Sequence, residues 1–159
     1  MNKTSLLRCL LVLLTALSLG ACATSSATKP ANPAVLAKFH AIDKSKMAVM
    51  VVYRTREYVG GLLRPTVVLD GKDLVNIGNG KVFVAGLAPG HHTFEMDDKK
   101  SGTTVDLKPG QDVYLKIEIV PGFWKGGGKL TQVTSSQGNY ESTRLDPIEL
   151  KEIENAAYR

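Results

Sequence analysis

The clearest chemical signal in this chain is a cysteine close to the N-terminus, together with the three residues that precede it. Leu19, Gly20, Ala21 and Cys22 form a lipobox, in which small residues precede the thiol that receives diacylglycerol. Two basic residues and the apolar stretch 10–19 lie upstream, as in a bacterial export signal. This stretch is too short to cross a hydrocarbon core of about 30 Å as a helix. We therefore predict that residues 1–21 are a signal peptide, cleaved between Ala21 and Cys22, and that Cys22 becomes the acylated first residue.

Acylation of Cys22 would anchor the mature chain in a membrane, since each buried CH₂ group contributes about 0.8 kcal/mol of membrane affinity. By the sorting rule of bacterial lipoproteins, Ala23 after the cysteine favours the outer membrane in a diderm host. We therefore expect the protein on the periplasmic leaflet of the outer membrane. The alternative is an ordinary signal peptide, cut at the small residues 21–23, that leaves Cys22 as a free thiol.

The adjacent histidines His91 and His92 do not predict a metal site. They fall on a predicted strand, where neighbouring side chains point to opposite faces, and the third histidine, His40, is far away in the sequence. Turn formation explains Asp70 and Asp73, because a calcium loop needs more oxygen ligands and a closing Glu. We expect no metal and no cofactor.

The glycine-rich stretch 122–129 resembles a phosphate-binding loop only in its glycines. That pattern requires Gly where Phe123 stands and Ser or Thr after Lys129, so a flexible hairpin loop is the favoured interpretation. The loop carries the only tryptophan, Trp124. Large aromatic side chains dominate binding hot spots, so Phe123 and Trp124 are candidates for partner or ligand contact. They could equally fold back over an open end of the domain.

Arg54 is the third candidate contact residue. It follows the first predicted strand, and its guanidinium could bind a carboxylate or phosphate through two parallel hydrogen bonds. The favoured interpretation is structural, with Arg54 pairing with Glu57 or capping the end of the strand.

Composition restricts the class of protein. Removal of the signal leaves residues 22–159, a length that suits one domain, and lowers the net charge from +5 to +3. Lysines alternate with acids instead of forming the basic stripe of a nucleic-acid binder, so we expect no nucleic acid. The chain has two cysteines, Cys9 in the signal and the lipidated Cys22. The mature domain therefore has no thiol left for a disulfide, a metal site or catalysis.

The N-terminal part of the mature chain predicts a tether and a helix. Residues 22–33 are small, polar and proline-bearing, which is typical of a flexible linker. Residues 34–46 carry apolar side chains at roughly helical spacing, which predicts a short helix.

The remainder predicts a mainly β domain over residues 47–145. Short β-rich runs alternate with turn residues about every ten positions, which favours a single antiparallel β-sandwich. Asp146 and Pro147 are typical of a helix start, and they predict a helical tail over 146–159. The predicted strands are Ala48–Tyr53, Thr66–Leu69, Leu74–Ile77, Lys81–Leu87, His92–Met96, Thr103–Leu107, Val113–Val120 and Lys129–Val133.

Several of these runs resemble a known family. Met47–Arg54 (MAVMVVYR), Val67–Met96, Val105–Ile119 (VDLKPGQDVYLKIEI) and Lys129–Val133 (KLTQV) resemble the bacterial lipoprotein family called domain of unknown function twenty-eight forty-six. The turn pattern within Val67–Met96 also resembles PEGA-type modules, which are small transthyretin-like β-sandwiches. The resemblance covers about residues 47–145 and implies a periplasm-facing β-sandwich on a lipid anchor. It implies no reaction, because the family has no agreed activity.

These observations favour a non-enzymatic module that docks an envelope protein or serves the structure of the envelope. The alternative is small-ligand or glycan binding, at Phe123 and Trp124 or near Arg54. Hydrolysis is the least favoured class, because no Ser-His-Asp or paired-carboxylate arrangement stands out in the sequence.

Overall fold

A computed structural model describes residues 28–120 and 128–159. The described chain is mainly β, as predicted, with two helices and two 3₁₀ turns. In chain order the elements are α1 (Pro33–His40), β1 (Ala48–Tyr53), β2 (Thr66–Leu69), β3 (Lys72–Asn76), β4 (Lys81–Leu87), β5 (Gly90–Met96), β6 (Gly102–Leu107), β7 (Asp112–Ile119), β8 (Gly128–Val133), α2 (Ser135–Ser142), β9 (Asp146–Pro147) and the 3₁₀ turns Leu150–Glu152 and Ala156–Tyr158.

The strands form two sheets. One has five strands in the order β8-β7-β1-β4-β9, and the other has four in the order β3-β2-β5-β6. The expectation of a purely antiparallel domain is wrong, because β1 is parallel to β7 and β4 is parallel to β9. Strand β1 explains the difference, since all six of its residues are buried. Such an unbroken apolar run is typical of a strand covered on both faces, which parallel pairing requires.

Two hydrophobic clusters cover the two faces of β1. The larger cluster lies between the sheets and combines Met50 and Val52 of β1 with Phe94 and Met96 of β5. The smaller one lies on the other face of the five-stranded sheet, where Val35 and Phe39 of α1 pack with its apolar side chains. The domain therefore has three layers over β1, and the helical layer encloses a second core.

Helix α1 is shorter than the predicted helix 34–46. It begins one residue earlier, at Pro33, and ends at His40. The Asn32 side chain accepts a hydrogen bond from the backbone N–H of Ala34 and caps the helix, with Pro33 in the first turn. The Asn32 backbone N–H donates to the Thr143 carbonyl over 2.6 Å, and its Nδ2 donates to the Leu145 carbonyl over 3.0 Å. The end of the predicted tether 22–33 is thus part of the folded domain.

The predicted helical tail 146–159 is wrong at its start. Asp146 and Pro147 form β9, in which the Asp146 N–H donates to the Gly80 carbonyl and the Ile148 N–H to the Val82 carbonyl. Proline is tolerated because β9 is an edge strand, where one side needs no donor. The helical turns that follow are 3₁₀ and only three residues long.

The second α-helix, α2, lies within the predicted strand region and was not anticipated. Its sequence, SSQGNYES, carries almost no apolar periodicity, so the sequence pattern could not reveal it. Thr134 supplies the N-cap through its hydroxyl, which accepts from the Gln137 N–H over 3.3 Å. Gly138 lets the helix approach the ring of Tyr114 closely.

Candidate functional site

Arg54, the first predicted site residue within the described structure, is completely buried. Its Nη1 donates to the Leu63 carbonyl and its Nη2 to the Gly60 carbonyl, each over 2.8 Å. Burial lowers the pKa of Arg54, and the charge of Glu57 opposes this effect. The Arg54 guanidinium is thus engaged by carbonyls of its own chain, whereas the favoured structural interpretation places it against Glu57 or a strand end. The guanidinium holds the connection between β1 and β2, residues 55–65, which we call the Arg54 loop.

Two further contacts fix the base of the Arg54 loop. The Asn79 amide accepts a hydrogen bond from the Glu57 N–H over 2.9 Å and donates one to the Glu57 carbonyl over 2.8 Å. Gly60 adopts a positive φ of 69° and lies against Ile119, so that a Cβ at this position would fall 2.8 Å from the Ile119 Cγ2. A side chain at position 60 would thus be excluded both by backbone conformation and by space.

The Arg54 loop presents apolar side chains to solvent. Tyr58 and Leu62 are essentially fully exposed, at 101% and 98%, and Val59 is 58% exposed. Val120, the residue after β7, adds a further apolar side chain that is 40% exposed. Large apolar side chains held in the open on an ordered backbone are typical of an interaction surface.

Two ion pairs connect the Arg54 loop to the rest of the domain. Arg56 Nη2 lies 2.5 Å from Asp146 Oδ2, and Lys29 Nζ lies 3.7 Å from the other carboxylate oxygen. Partial burial would raise the pKa of Asp146, but the hydrogen bond from Arg56 and the nearby positive charges outweigh it and lower the pKa. Arg64 Nη1 donates to Glu152 Oε1 over 2.5 Å at the other end of the loop.

The N-terminal part of the chain enters the domain beside this loop. Strands β1 and β7 end, and β4 and β8 begin, at the same end of the five-stranded sheet, which we call the loop end. Asp146 forms ion pairs with both Arg56 and Lys29. In the sheet its ladder partner is Lys81, the first residue of β4, which lies at the loop end. No local sequence pattern predicts this arrangement, because residues 29, 56 and 146 become neighbours only through the sheet topology.

The two predicted structural histidines lie elsewhere and make different contacts. His92 Nδ1 lies 2.7 Å from Asp70 Oδ2, and its Nε2 lies 2.8 Å from the Ala88 carbonyl oxygen. The other Asp70 oxygen accepts the Thr93 N–H over 2.8 Å. His91 faces outward, 3.8 Å from Asp106. The pair therefore divides between opposite faces of β5, as predicted, and within residues 28–120 and 128–159 no cluster of three metal-ligating side chains occurs.

Two open grooves border the helices. One, of about 450 Å³, lies between α1 and α2 and is lined by Phe39, His40, Tyr114 and Asn139 among others. Lys44 and Asp112 also line it, and they form an ion pair of 2.8 Å with each other. The second, of about 550 Å³, lies between the end of α1, β4 and the C-terminal residues.

Four predicted site residues, Ala21, Cys22, Phe123 and Trp124, lie outside the described residues. In the part of the chain that is described, no helix is both long and apolar enough to cross a membrane. Comparisons with family models, curated proteins and solved structures give no match.

Proposed function

We propose that this protein is a lipid-anchored bacterial lipoprotein whose β domain is a non-enzymatic docking module of the cell envelope. In this proposal residues 1–21 are removed, Cys22 carries the acyl chains, and the domain faces the periplasm from the outer membrane. The lipobox and the Ala23 position support the anchor and its location. The family resemblance of residues 47–145 supports the class of protein.

The observation that carries the docking function is the construction of the Arg54 loop. A guanidinium is costly to bury, and here it is removed from solvent to hold two loop carbonyls. The result is an ordered loop that exposes Tyr58 and Leu62. Large apolar side chains that are exposed on an ordered loop are a feature of docking surfaces, which supports this role.

We further propose that the two sheets form an open β-sandwich of the transthyretin-like or PEGA kind. The large cluster of apolar side chains that both sheets share supports this architecture. The parallel pairs β1–β7 and β4–β9 distinguish it from a purely antiparallel sandwich.

Small-ligand or glycan binding is the alternative, with less support. Arg54 is buried and its guanidinium is engaged, so a ligand would have to use other residues. Titration of the protein with peptidoglycan fragments, followed by the fluorescence of the single tryptophan, tests this alternative directly. A saturable change would support glycan binding, and a flat titration would contradict it.

The first experiment tests the anchor. The full-length protein is expressed in a diderm bacterium with labelled palmitate, alongside a Cys22→Ser variant. We expect label and an acylated intact mass only with Cys22, and release of the variant into the periplasmic extract. A processed wild-type chain that carries no fatty acid would overturn the proposal.

The second experiment tests whether the Arg54 loop is covered in the envelope. Tyr58→Cys and, as a matched control, Tyr140→Cys on α2 are exposed to a thiol-reactive maleimide in isolated envelopes and again in detergent. Both tyrosines are exposed in the structure, at 101% and 54%. We expect position 58 to react only after detergent and position 140 to react in both. Equal reactivity in envelopes would show that the loop docks nothing.

A further inference from the structure

We infer that the Arg54 loop faces the membrane that holds the lipid anchor, and that Tyr58 and Leu62 insert among the lipid head groups. The inference rests on the proposed acylation of Cys22, and it names the phospholipid surface as the occupant of the docking site. Four observations support it: the position of the chain entry, the exposed apolar side chains, the flanking cations and the character of the opposite end.

The chain enters the domain next to the loop. Lys29 and Arg56 share the carboxylate of Asp146, and Asn32 is hydrogen-bonded to the Thr143 and Leu145 carbonyls. Six residues lie between Cys22 and Lys29, which makes seven steps from Cα to Cα. A chain spans at most about 3.3–3.6 Å per residue, so Cys22 lies within roughly 25 Å of the loop end. A lipid anchor on so short a connection keeps this end of the domain close to the bilayer.

The loop also has the composition of a membrane-contacting surface. Tyr58 has an apolar ring and a polar hydroxyl, as do the side chains that concentrate at membrane interfaces. Leu62 supplies an aliphatic side chain that is 98% exposed, and Val59 of the same loop is 58% exposed. A loop of this kind buries its apolar tips in the head-group region while its polar backbone stays hydrated.

Cations flank these side chains. Arg56 and Arg64 are 66% and 61% exposed, and Lys29 is 55% exposed. Their acidic partners, Asp146 and Glu152, are less exposed, at 39% and 7%. Cations that are more exposed than the carboxylates they pair with are suited to phosphate-bearing head groups.

The opposite end of the domain has a different character. The turns there, residues 41–47, 88–90 and 108–111, are rich in Lys, Asp, Pro and Gly. The large exposed apolar side chains of the described residues include none from these turns. The asymmetry between the two ends predicts one orientation on the membrane. The lipid anchor keeps the loop at a high local concentration near the bilayer, so a weak contact suffices.

The test uses the acylated protein in phospholipid vesicles that contain no other protein. Leu62→Cys and, at the opposite end, Lys108→Cys are each labelled with an environment-sensitive fluorophore. The introduced thiol is the only one available once Cys9 has left and Cys22 is acylated. Because both native side chains are exposed, neither change disturbs packing. Quenchers are a nitroxide-bearing lipid and a water-soluble ion.

We expect the lipid quencher to act about threefold or more strongly at position 62 than at position 108, and the aqueous quencher to act in the reverse order. Equal quenching at both positions in a chain whose mass shows acylation would overturn the orientation and leave the anchor proposal standing. A chain without acyl mass would overturn the anchor itself. Protection of position 62 in native envelopes but not in pure lipid vesicles would assign the loop to a protein partner and contradict the inference.

Discussion

The guanidinium of Arg54 and the carbonyl oxygen of Gly60 are 2.8 Å apart, although five residues of the loop lie between them in the chain. The same guanidinium reaches Leu63, and Leu63 in turn donates its N–H to the Gly60 carbonyl over 2.9 Å. One buried side chain thus holds the middle of the connection between β1 and β2. Tyr58 and Leu62, on either side of Gly60, stay exposed on the loop that this arrangement holds.

Replacement of Arg54 by Met should lower the free energy of unfolding by about 2–4 kcal/mol. Methionine keeps most of the apolar stem of arginine but has no N–H groups. The Gly60 and Leu63 carbonyls would therefore lose the hydrogen bonds that the guanidinium donates. Urea denaturation measures the loss, and hydrogen exchange should show faster exchange within residues 55–65. Arg56→Met is the control, and it should cost less than about 1 kcal/mol because its ion pair is exposed. Equal losses would contradict the assigned role of Arg54.

Gly138→Ala should destabilise the protein by about 1–3 kcal/mol despite the better helix propensity of alanine. A Cβ at this position would lie 2.2 Å from the Tyr114 Cγ, so α2 would have to move away from the sheet. Propensity alone predicts the opposite sign, a gain of about 1 kcal/mol. Thermal denaturation decides between the two. Ser136→Ala, at an exposed position of the same helix, should change stability by no more than about 0.5 kcal/mol.

Loss of stability in acid should depend on Glu141. Its carboxylate accepts hydrogen bonds from Tyr53 and Gln137, over 2.8 and 3.1 Å, and lies 3.1 Å from Lys116 Nζ. Burial alone would raise the pKa of Glu141, but these three partners outweigh it and lower the pKa below the ordinary value of 4.5. The contact therefore contributes stability above that value, and the contribution is lost as the pH falls through the folded-state pKa.

We expect the free energy of unfolding of Glu141→Gln to fall less steeply than that of the wild type between about pH 5 and pH 3. Tyr53→Phe should also flatten the slope, because it removes one of the hydrogen bonds that lower the pKa. Urea titrations at a series of pH values provide the measurement. Slopes identical in all three proteins would show that this carboxylate contributes nothing to acid lability.

The C-terminal residues should prove to be part of the domain. Ile153 is 3% exposed, belongs to the core between the sheets and bridges to Val75. Ile153→Ala should therefore cost about 2–4 kcal/mol, as for other buried aliphatic truncations. Leu150→Ala, three residues earlier but 64% exposed, should cost less than about 0.5 kcal/mol. Similar small losses for both variants in chemical denaturation would mean that the tail packs only loosely.

The strands were the part of the fold most open to prediction. Ala48–Tyr53, Thr66–Leu69 and Lys81–Leu87 have the predicted bounds, because apolar residues and turn residues alternate clearly in these segments. The same local signal failed for α2, whose few apolar side chains give no helical period. It also failed at Asp146 and Pro147, where a good helix start forms an edge strand. There the chain pairs with the open edge of β4, whose carbonyl groups accept its hydrogen bonds. The local sequence contains no information about that distant edge.

The sequence by itself determined the mainly β character of the domain, the positions of most strands and the lipobox, because each depends on the order of neighbouring residues. Arg54 was named as a candidate residue, but its role could not be predicted, since a buried and an exposed arginine have the same local sequence. Only the tertiary structure brought residues 29, 56 and 146 together and placed the chain entry beside Tyr58 and Leu62. Such proximity depends on sheet order and on parallel pairing between distant strands, and no periodicity along the chain encodes either.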